Sequence, residues 1–451
     1  MNHAPMRHRA GHKRRLVVFT RCGVPGRAKT RLSGVLGDVA AAQLQQQMTA
    51  VVLSVAGEFS KRSGTDLEIH FTDGSNQRMR EDFGCDFRYR PQGAGDLGRR
   101  MARVFEESRV RGPTRTVIIG ADCIDIDADI LEGAFKALDD ADVVLGPAAD
   151  GGYYLVGLRG RSGRLFEGVD RGTSRVLAQT IRTAEANGLS VALLQELADI
   201  DRPEDLTVMA RRSGPATGRI SVVIPSLNDE ATIGSAVSSA LMEGAEVIVA
   251  DGSSSDGTAR IAGALRATVL DVARGRARQM NAGAGQAGGD ILLFLHADSR
   301  LPVGYGREVV RLMEPSHIAG GAFTFKPDRR MRGLGVIARL VNFRSRVISM
   351  PYGDQGLFVR RKTFEKIGGF PEWDIMEDYE LVRRLKRHGC IAMSASAVIT
   401  SADRWEDLGL MRATLVNQAV ILGFHLGVSP KRLRCWYQAG TIAGPSAAAR
   451  P

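Results

Sequence analysis

Long hydrophobic runs are missing from this chain. No stretch of ~18 uncharged apolar residues occurs, so no membrane-spanning helix is expected. The apolar core of a signal peptide is missing too, and the expected location is the cytoplasm. Cysteine is scarce: Cys22, Cys85, Cys123, Cys390 and Cys435 make an odd number and contain no CxxC pair. That argues against a disulfide framework and for reduced thiols, as in a cytoplasmic protein.

What is present is ordinary globular material. The chain has 451 residues, 44% hydrophobic and 25% charged, which predicts two or three domains with cores of their own and no long disorder. The net charge is +11, from 61 Lys+Arg against 50 Asp+Glu. Such a balance favours anionic partners such as nucleotide phosphates or anionic lipid. No recognition motif accompanies it, so nucleic acid is not expected as a partner. Part of the excess lies in His8, Arg9, His12, Lys13, Arg14 and Arg15, read as a flexible basic tail over residues 1–15.

Strand-like runs alternate with helix-like stretches throughout. LVVF begins at Leu16, LEIHF at Leu67, VIIGA at Val117, DVVLG at Asp142 and YYLVGL at Tyr153. Helix patterns cover 39–56 and 97–107. The alternation predicts an α/β fold with a mainly parallel sheet. RRSGPATGR, over 211–219, lacks apolar periodicity and reads as a linker. The pattern then restarts with ISVVIP at Ile220, EVIVADG at Glu246 and ILLFLHAD at Ile291. Two α/β domains are therefore expected, over 16–210 and 220–438, with a flexible tail over 439–451.

In an open parallel sheet, ligands bind beyond the carboxyl ends of the strands. Three such ends stand out in the second domain. VIPSLNDE places Ser226, Asn228, Asp229 and Glu230 after a buried strand, where Asn228 or Asp229 either caps the next helix or meets a ligand. VIVADGSSSDG puts Asp251 at a strand end, with Asp256 suited to capping. ILLFLHADS runs a buried strand into His296, Ala297 and Asp298. A carboxylate there either holds Mg²⁺ or Mn²⁺ against a diphosphate or forms a plain turn.

Together with RGRARQMNAGA, GGAF, PYGDQGLFVRR, GGFPEWDIMEDYELVRRL and VITSADRW, these strings resemble the inverting family 2 glycosyltransferases of the GT-A fold. The resemblance runs from Ile220 to about Tyr437, and within that family points to a bacterial subgroup labelled for arsenosugar biosynthesis. It implies a nucleotide-sugar donor contacted by Pro225, Asn228, Asp229 and Asp251. Arg276 and Arg278 would approach the diphosphate, and Asp298 would be the metal ligand. Glu377 and Asp378 would stand at the acceptor, with Asp378 favoured as general base. Asp354 and Gln355 are candidates for sugar or acceptor contacts. His296 stands where the family's DxD motif has its first acid, and Asp229 where a Glu is more usual. Arg344 and Arg346 either bind an acidic acceptor group or are solvated helix residues. Trp405 either stacks on a sugar or packs.

The first domain carries VFTRCGVPGRAKTRL, GDLGRRM, VIIGADC, DVVLGPAADGGYYLVGL, LFEGV and DIDRPEDL. These resemble a second GT-A-like glycosyltransferase family related to nucleotidyltransferases. Gly26, Arg27, Lys29 and Arg31 suggest a phosphate cradle after the first strand. By position, Asp122 corresponds to Asp298 as a metal ligand. Asp201 would add a second ligand or precede a helix, and Gly151 and Gly152 would form a substrate-contacting turn. Three readings remain for this domain: a second glycosyltransferase, a nucleotidyltransferase making an activated donor, or a degenerate acceptor-binding module.

The expected whole is a tandem pair of GT-A domains using Mg²⁺ or Mn²⁺, a nucleotide-sugar donor and a small-molecule or lipid-like acceptor. Residues 413–428, followed by Lys431, Arg432, Arg434, Trp436 and Tyr437, predict either a peripheral membrane contact or a buried helix.

Overall fold

A computed structural model of the chain describes residues 13–110, 114–160, 165–170, 172–211, 220–329, 331 and 333–440. The expected linker lies outside them except for Arg211, as do residues 1–12 of the basic tail and 441–451 of the C-terminal tail. The chain divides into two compact units that change over between Val208 and Met209. Each is built on one mixed, mostly parallel sheet with helices, the α/β architecture that the alternation predicted.

The first sheet contains β1 (Lys13–Arg21), β2 (Asp66–Thr72), β3 (Arg88–Pro91), β4 (Thr114–Gly120), β5 (Val143–Pro147), β6 (Tyr153–Arg159) and β7 (Val191–Leu193), in the order β3-β2-β1-β4-β6-β5-β7. Only β6 runs against its neighbours. Side chains alternate across a strand. On β1, Leu16 and Val18 accordingly join one apolar cluster with Phe135 and Val52, while Val17 and Phe19 join another with Phe105 and Val156. Burial on both faces explains why β1 reads as a continuous apolar run.

One expectation is corrected here. β1 begins at Lys13, so Lys13, Arg14 and Arg15 belong to the sheet and not to a tail. Arg15 is only 2% exposed. Its guanidinium donates to Glu68 at 2.6 Å and to the Val104 carbonyl at 3.0 Å. A buried cation needs such partners, because desolvation would otherwise exclude it.

The second sheet contains β8 (Ile220–Ser226), β9 (Glu246–Asp251), β10 (Thr268–Asp271), β11 (Ile291–Phe294), β12 (Ser299–Arg300), β13 (Ile318–Pro327), β14 (Leu357–Arg360) and β15 (Cys390–Thr400), in the order β10-β9-β8-β11-β14-β13-β15-β12. β8 to β11 form its parallel half, with Val223 opposite both Ile248 and Phe294. The carboxyl ends of β8, β9 and β11 therefore lie side by side. Past Phe294 the amide of Leu295 still bonds the Val223 carbonyl at 3.0 Å. The chain then leaves the sheet at His296. Among the described residues, no helix is long and apolar enough to cross a membrane.

Candidate active site

Beyond those strand ends the second unit has a cavity of about 680 Å³. Pro225, Asp229, Arg276, His296, Asp298, Asp354, Glu377 and Asp378 all line it. They come from five separate loops and helix starts, so the fold, and not sequence proximity, assembles them.

Asp298 opens onto the cavity, and the Ser299 hydroxyl donates to its Oδ1 at 3.0 Å. Surrounding protein raises its pKa, partly offset by the Ser299 bond and by Arg276. His296 is pushed down to about 3 by burial and then by Arg276, so its imidazole is neutral. Arg276 opens the helix Arg276–Gln286, behind Gly275 at φ 139°, and stands 4.0 Å from Glu377.

Glu377 and Asp378 begin the helix Glu377–Leu385. The residue before them, Met376, has φ 70°, a left-handed conformation that costs a non-glycine residue about 1 kcal/mol or more. It turns the helix start towards the cavity. Asp378 accepts the Gly353 amide through Oδ2 at 2.6 Å and the Tyr379 amide through Oδ1 at 2.7 Å. Glu377 is raised to about 7 by burial and by Asp378, against the pull of Arg276. Asp354 is raised to about 6 by burial and by Asp378, with Arg344 opposing. Its Oδ1 has no hydrogen-bond partner.

Other expected contacts are placed differently. Gln355 is fully buried, and its amide is committed to Ser345, the Tyr352 amide and the Phe323 carbonyl. It braces the loop that carries Asp354. Arg278 points away from the cavity towards Glu372, 3.3 Å distant. Asn228 and Asp251 do not line the cavity either. Asn228, at φ 56°, accepts the Ser255 amide at 2.9 Å. Asp251 is 5% exposed and accepts from Ser226 and from the Ser254 amide. Both lock the loops that position Pro225 and Asp229.

The sequence reading passed over Gln279, whose buried amide donates to the Ser226 and Ala250 carbonyls at 2.7 Å each, tying β8 to β9. It also passed over the pairing of Arg404 with Tyr437 on the aromatic side of the cavity, where the guanidinium lies 3.6 Å from the ring centre. Arg344 lies likewise 3.6 Å from the Tyr352 ring, while Arg346 is exposed. Trp405 packs at 5.7 Å from Phe325 and also touches the cavity. Arg404 with Tyr437 and Trp405 with Phe325 join residues far apart in sequence, so spacing carried no signal for them.

Among the described residues no group of three or more His, Cys, Asp or Glu is arranged to hold a metal. Asp298 nonetheless fits one. It offers a hard oxygen in a cavity roomy enough for a diphosphate, and Mg²⁺ or Mn²⁺ commonly completes its shell with phosphate and water.

In the first unit, Lys29 (φ 50°) is buried and donates to Asp122 Oδ1 at 2.6 Å and to the Ile200 carbonyl. Asp201 lies 3.9 Å from the same ammonium and is paired with Arg31. Asp199 is raised to about 6 by burial and by Asp150. Gly26 is left-handed at φ 73°, and Arg27 is exposed. Gly151 has φ 85° and sits so close to Ser174 that a Cβ would lie 2.2 Å from its carbonyl oxygen. The Gly152 amide donates to Asp150. Lys29 is thus neutralised by Asp122 instead of standing free for a phosphate. A divalent ion at Asp122 would have to compete with that ammonium, so Asp122 fits a metal less well than Asp298 does.

Residues 221–367 match the family model described as glycosyl transferase family 2, and residues 54–173 match that of an uncharacterized protein conserved in bacteria (DUF2064). The first match takes in Arg276, Asp298 and Asp354 but ends before Glu377. No curated protein matches the chain. Among solved structures, a putative nucleotide-diphospho-sugar transferase from Desulfovibrio desulfuricans G20 is 29% identical, covering 45% of this chain and 87% of its own, with TM-score 0.42. Glucosyl-3-phosphoglycerate synthase from Mycobacterium tuberculosis is 20% identical, covering 54% and 85%, with TM-score 0.34. A mannosyltransferase from Pyrobaculum calidifontis is 17% identical, covering 52% and 74%, with TM-score 0.35. The second unit carries a family 2 glycosyltransferase domain, and with it the enzyme class that transfers a sugar from a nucleotide-activated donor.

Proposed function

We propose that the second unit transfers a sugar to an acceptor hydroxyl with inversion, using Asp378 as general base. The observation that carries this reading is the convergence of Arg276, Asp298, Asp354, Glu377 and Asp378 on one cavity. Pro225 and Asp229 receive the nucleoside side of the donor. The diphosphate meets the start of the helix Arg276–Gln286, where free main-chain amides and the Arg276 guanidinium favour negative charge. Mg²⁺ or Mn²⁺ held by Asp298 would supply neutralisation of the charge on the departing nucleoside diphosphate.

Asp378 is the better base because its carboxylate faces the cavity and is aimed by two main-chain amides. A base must lie within hydrogen-bond reach of the hydroxyl proton it removes. Glu377, held near neutrality, retains a proton for much of the time and limits repulsion beside Asp378. Attack from the Asp378 side, opposite the departing diphosphate, inverts the anomeric carbon. The acceptor is a small molecule or a lipid-like one.

The first unit is a second transferase-type domain centred on Lys29, Asp122 and Asp201. The ion pair between Lys29 and Asp122 favours a site that opens only when a phosphate draws the lysine away.

The test is a thermal-shift screen of the full chain with UDP-, GDP-, ADP- and dTDP-sugars and Mn²⁺. Ligands that bind only the folded state raise the melting temperature. At least one nucleotide sugar should do so, and Asp298→Ala should remove the Mn²⁺-dependent part. Absence of a shift with every nucleotide would overturn the reading.

A further inference from the structure

The helices Leu334–Val347 and Leu410–His425 share one apolar cluster, to which they contribute Leu334, Ala338 and Ala413 around Phe325 and Trp405. Each turns a second apolar row away from that cluster. On the first helix Val336, Leu340, Phe343 and Val347 recur at helical spacing, with Leu340 62% and Phe343 66% exposed. On the second, Met411, Leu415 and Leu422 form the row, which Leu426 extends, and Met411 is 73% exposed. Single exposed apolar residues are commonplace, whereas a row of them along a helix marks an interaction surface.

The helices that carry these rows hold charges of one sign, while the acids Asp403, Glu406 and Asp407 are exposed on the short helix just before the second. No Asp or Glu occurs over residues 331–353 or 410–440. Arg339 and Arg346 flank the first row and are exposed. Lys431 and Arg432 are exposed on the helix Pro430–Ala439, which packs closely on the second where Gly423 faces Leu433 and Trp436. Apolar rows edged by cations suit an anionic lipid surface, where the rows enter the acyl boundary and the cations meet headgroups. A second copy of the chain suits it less. A two-fold interface sets a patch against itself and would bring these uncompensated cations together.

We propose that these two helices dock the chain peripherally on an anionic lipid bilayer. The cavity side of the second helix supplies Asn417, Val420 and Ile421 to the cavity wall. Docking therefore leaves one helix between the bilayer and the cavity. The inference concerns where the chain sits and stands apart from the sugar-transfer reading.

The test is co-sedimentation of the full chain with vesicles of phosphatidylcholine alone and with vesicles of phosphatidylcholine and phosphatidylglycerol in equal parts, without any substrate. The chain should pellet with the mixed vesicles and be released by salt. Leu340→Gln with Phe343→Gln should weaken partitioning about tenfold or more, as should Met411→Gln with Leu415→Gln. Arg339→Gln and Arg346→Gln should each weaken it about fivefold, on the mixed vesicles only. All four positions of the apolar pairs are exposed, so circular dichroism and melting temperature should be unchanged. The proposal is overturned if the chain stays in the supernatant with both vesicle types. It is equally overturned if these variants pellet like the parent, or if light scattering shows a dimer that the same apolar variants dissociate while vesicles are ignored.

Discussion

The main-chain amide of Gly353 donates to the carboxylate of Asp378 at 2.6 Å, and a Cβ built on Gly353 would lie 3.1 Å from that same oxygen and 3.0 Å from His296 Nε2. The loop carrying Asp354 and the helix start carrying Asp378 thus touch through a glycine at which a methyl group would be tight. Gly353→Ala should displace the carboxylate by a few tenths of an ångström and lower kcat about tenfold, because catalytic groups tolerate little misplacement. Donor binding, read by thermal shift, should be unchanged. Normal turnover in this variant would show that Asp378 does not need its position.

The two acids of the pair should separate kinetically. Asp378→Asn removes the acceptor of the hydroxyl proton and should lower kcat about 10²–10⁴-fold, the usual range for a general base. Glu377→Gln keeps a neutral, hydrogen-bonding side chain and should cost about tenfold or less. Steady-state rates with the donor that the thermal-shift screen identifies decide the matter. The reverse order would make Glu377 the base.

Stability should depend on pH in a definite direction. Glu377 is raised from 4.5 to about 7 and Asp354 from 3.8 to about 6. A folded state that holds protons more tightly than the unfolded chain loses stability as pH rises through that window. Glu377→Gln and Asp354→Asn remove the charge that burial opposes. Each should therefore gain melting temperature relative to the parent on going from pH 5 to pH 8, by about 2 °C or more. Parallel melting curves across that range would contradict the burial of these acids.

In the first unit the two partners of one ion pair should not be equivalent. The Lys29 side chain is 3% exposed and that of Asp122 54%. Asp122→Asn leaves a buried ammonium with a weaker partner and should cost about 2–3 kcal/mol. Lys29→Met leaves a carboxylate that can turn to water and should cost less. Urea unfolding of both variants and of the double variant measures the difference.

Gln355 should act through the interior of the fold. Its amide satisfies Ser345, Tyr352 and Phe323 in the interior. Gln355→Leu should therefore destabilise by about 1–3 kcal/mol through the buried groups it leaves unpaired. Any loss of activity should follow the loss of folded protein, which activity per folded molecule will show.

Much of the site was legible because it hangs on buried strands. ILLF is an apolar run that ends abruptly at His296 and Asp298, and such an ending is visible in any reading of hydrophobicity. Direction was not legible. Arg276 and Arg278 look alike in RGRAR, yet two residues on a helix point about 200° apart, so one reaches the cavity and the other Glu372. Asp354 and Gln355 are neighbours in PYGDQ, but the turn aims one into the cavity and the other into the core. Short strands such as β3, β7 and β12 carry too few residues to show a period. The apolar row on Leu334–Val347 was present in the sequence but was overlooked, because apolar residues also line its inner side and only burial separates the two faces.

Local chemistry alone determined the alternation of strands and helices in two α/β units and the polar residues waiting at the ends of β8, β9 and β11. Periodicity and strand termination are short-range properties, set within a few residues by side-chain volume and backbone geometry. Which of those polar residues meet was decided only by tertiary packing. Asp378 reaches the Gly353 amide, and Lys29 reaches Asp122, through turns and sheet order that no spacing encodes. Burial, which then holds Glu377 near neutrality and fills the hydrogen-bonding capacity of Gln355, exists only once the chain has closed around them.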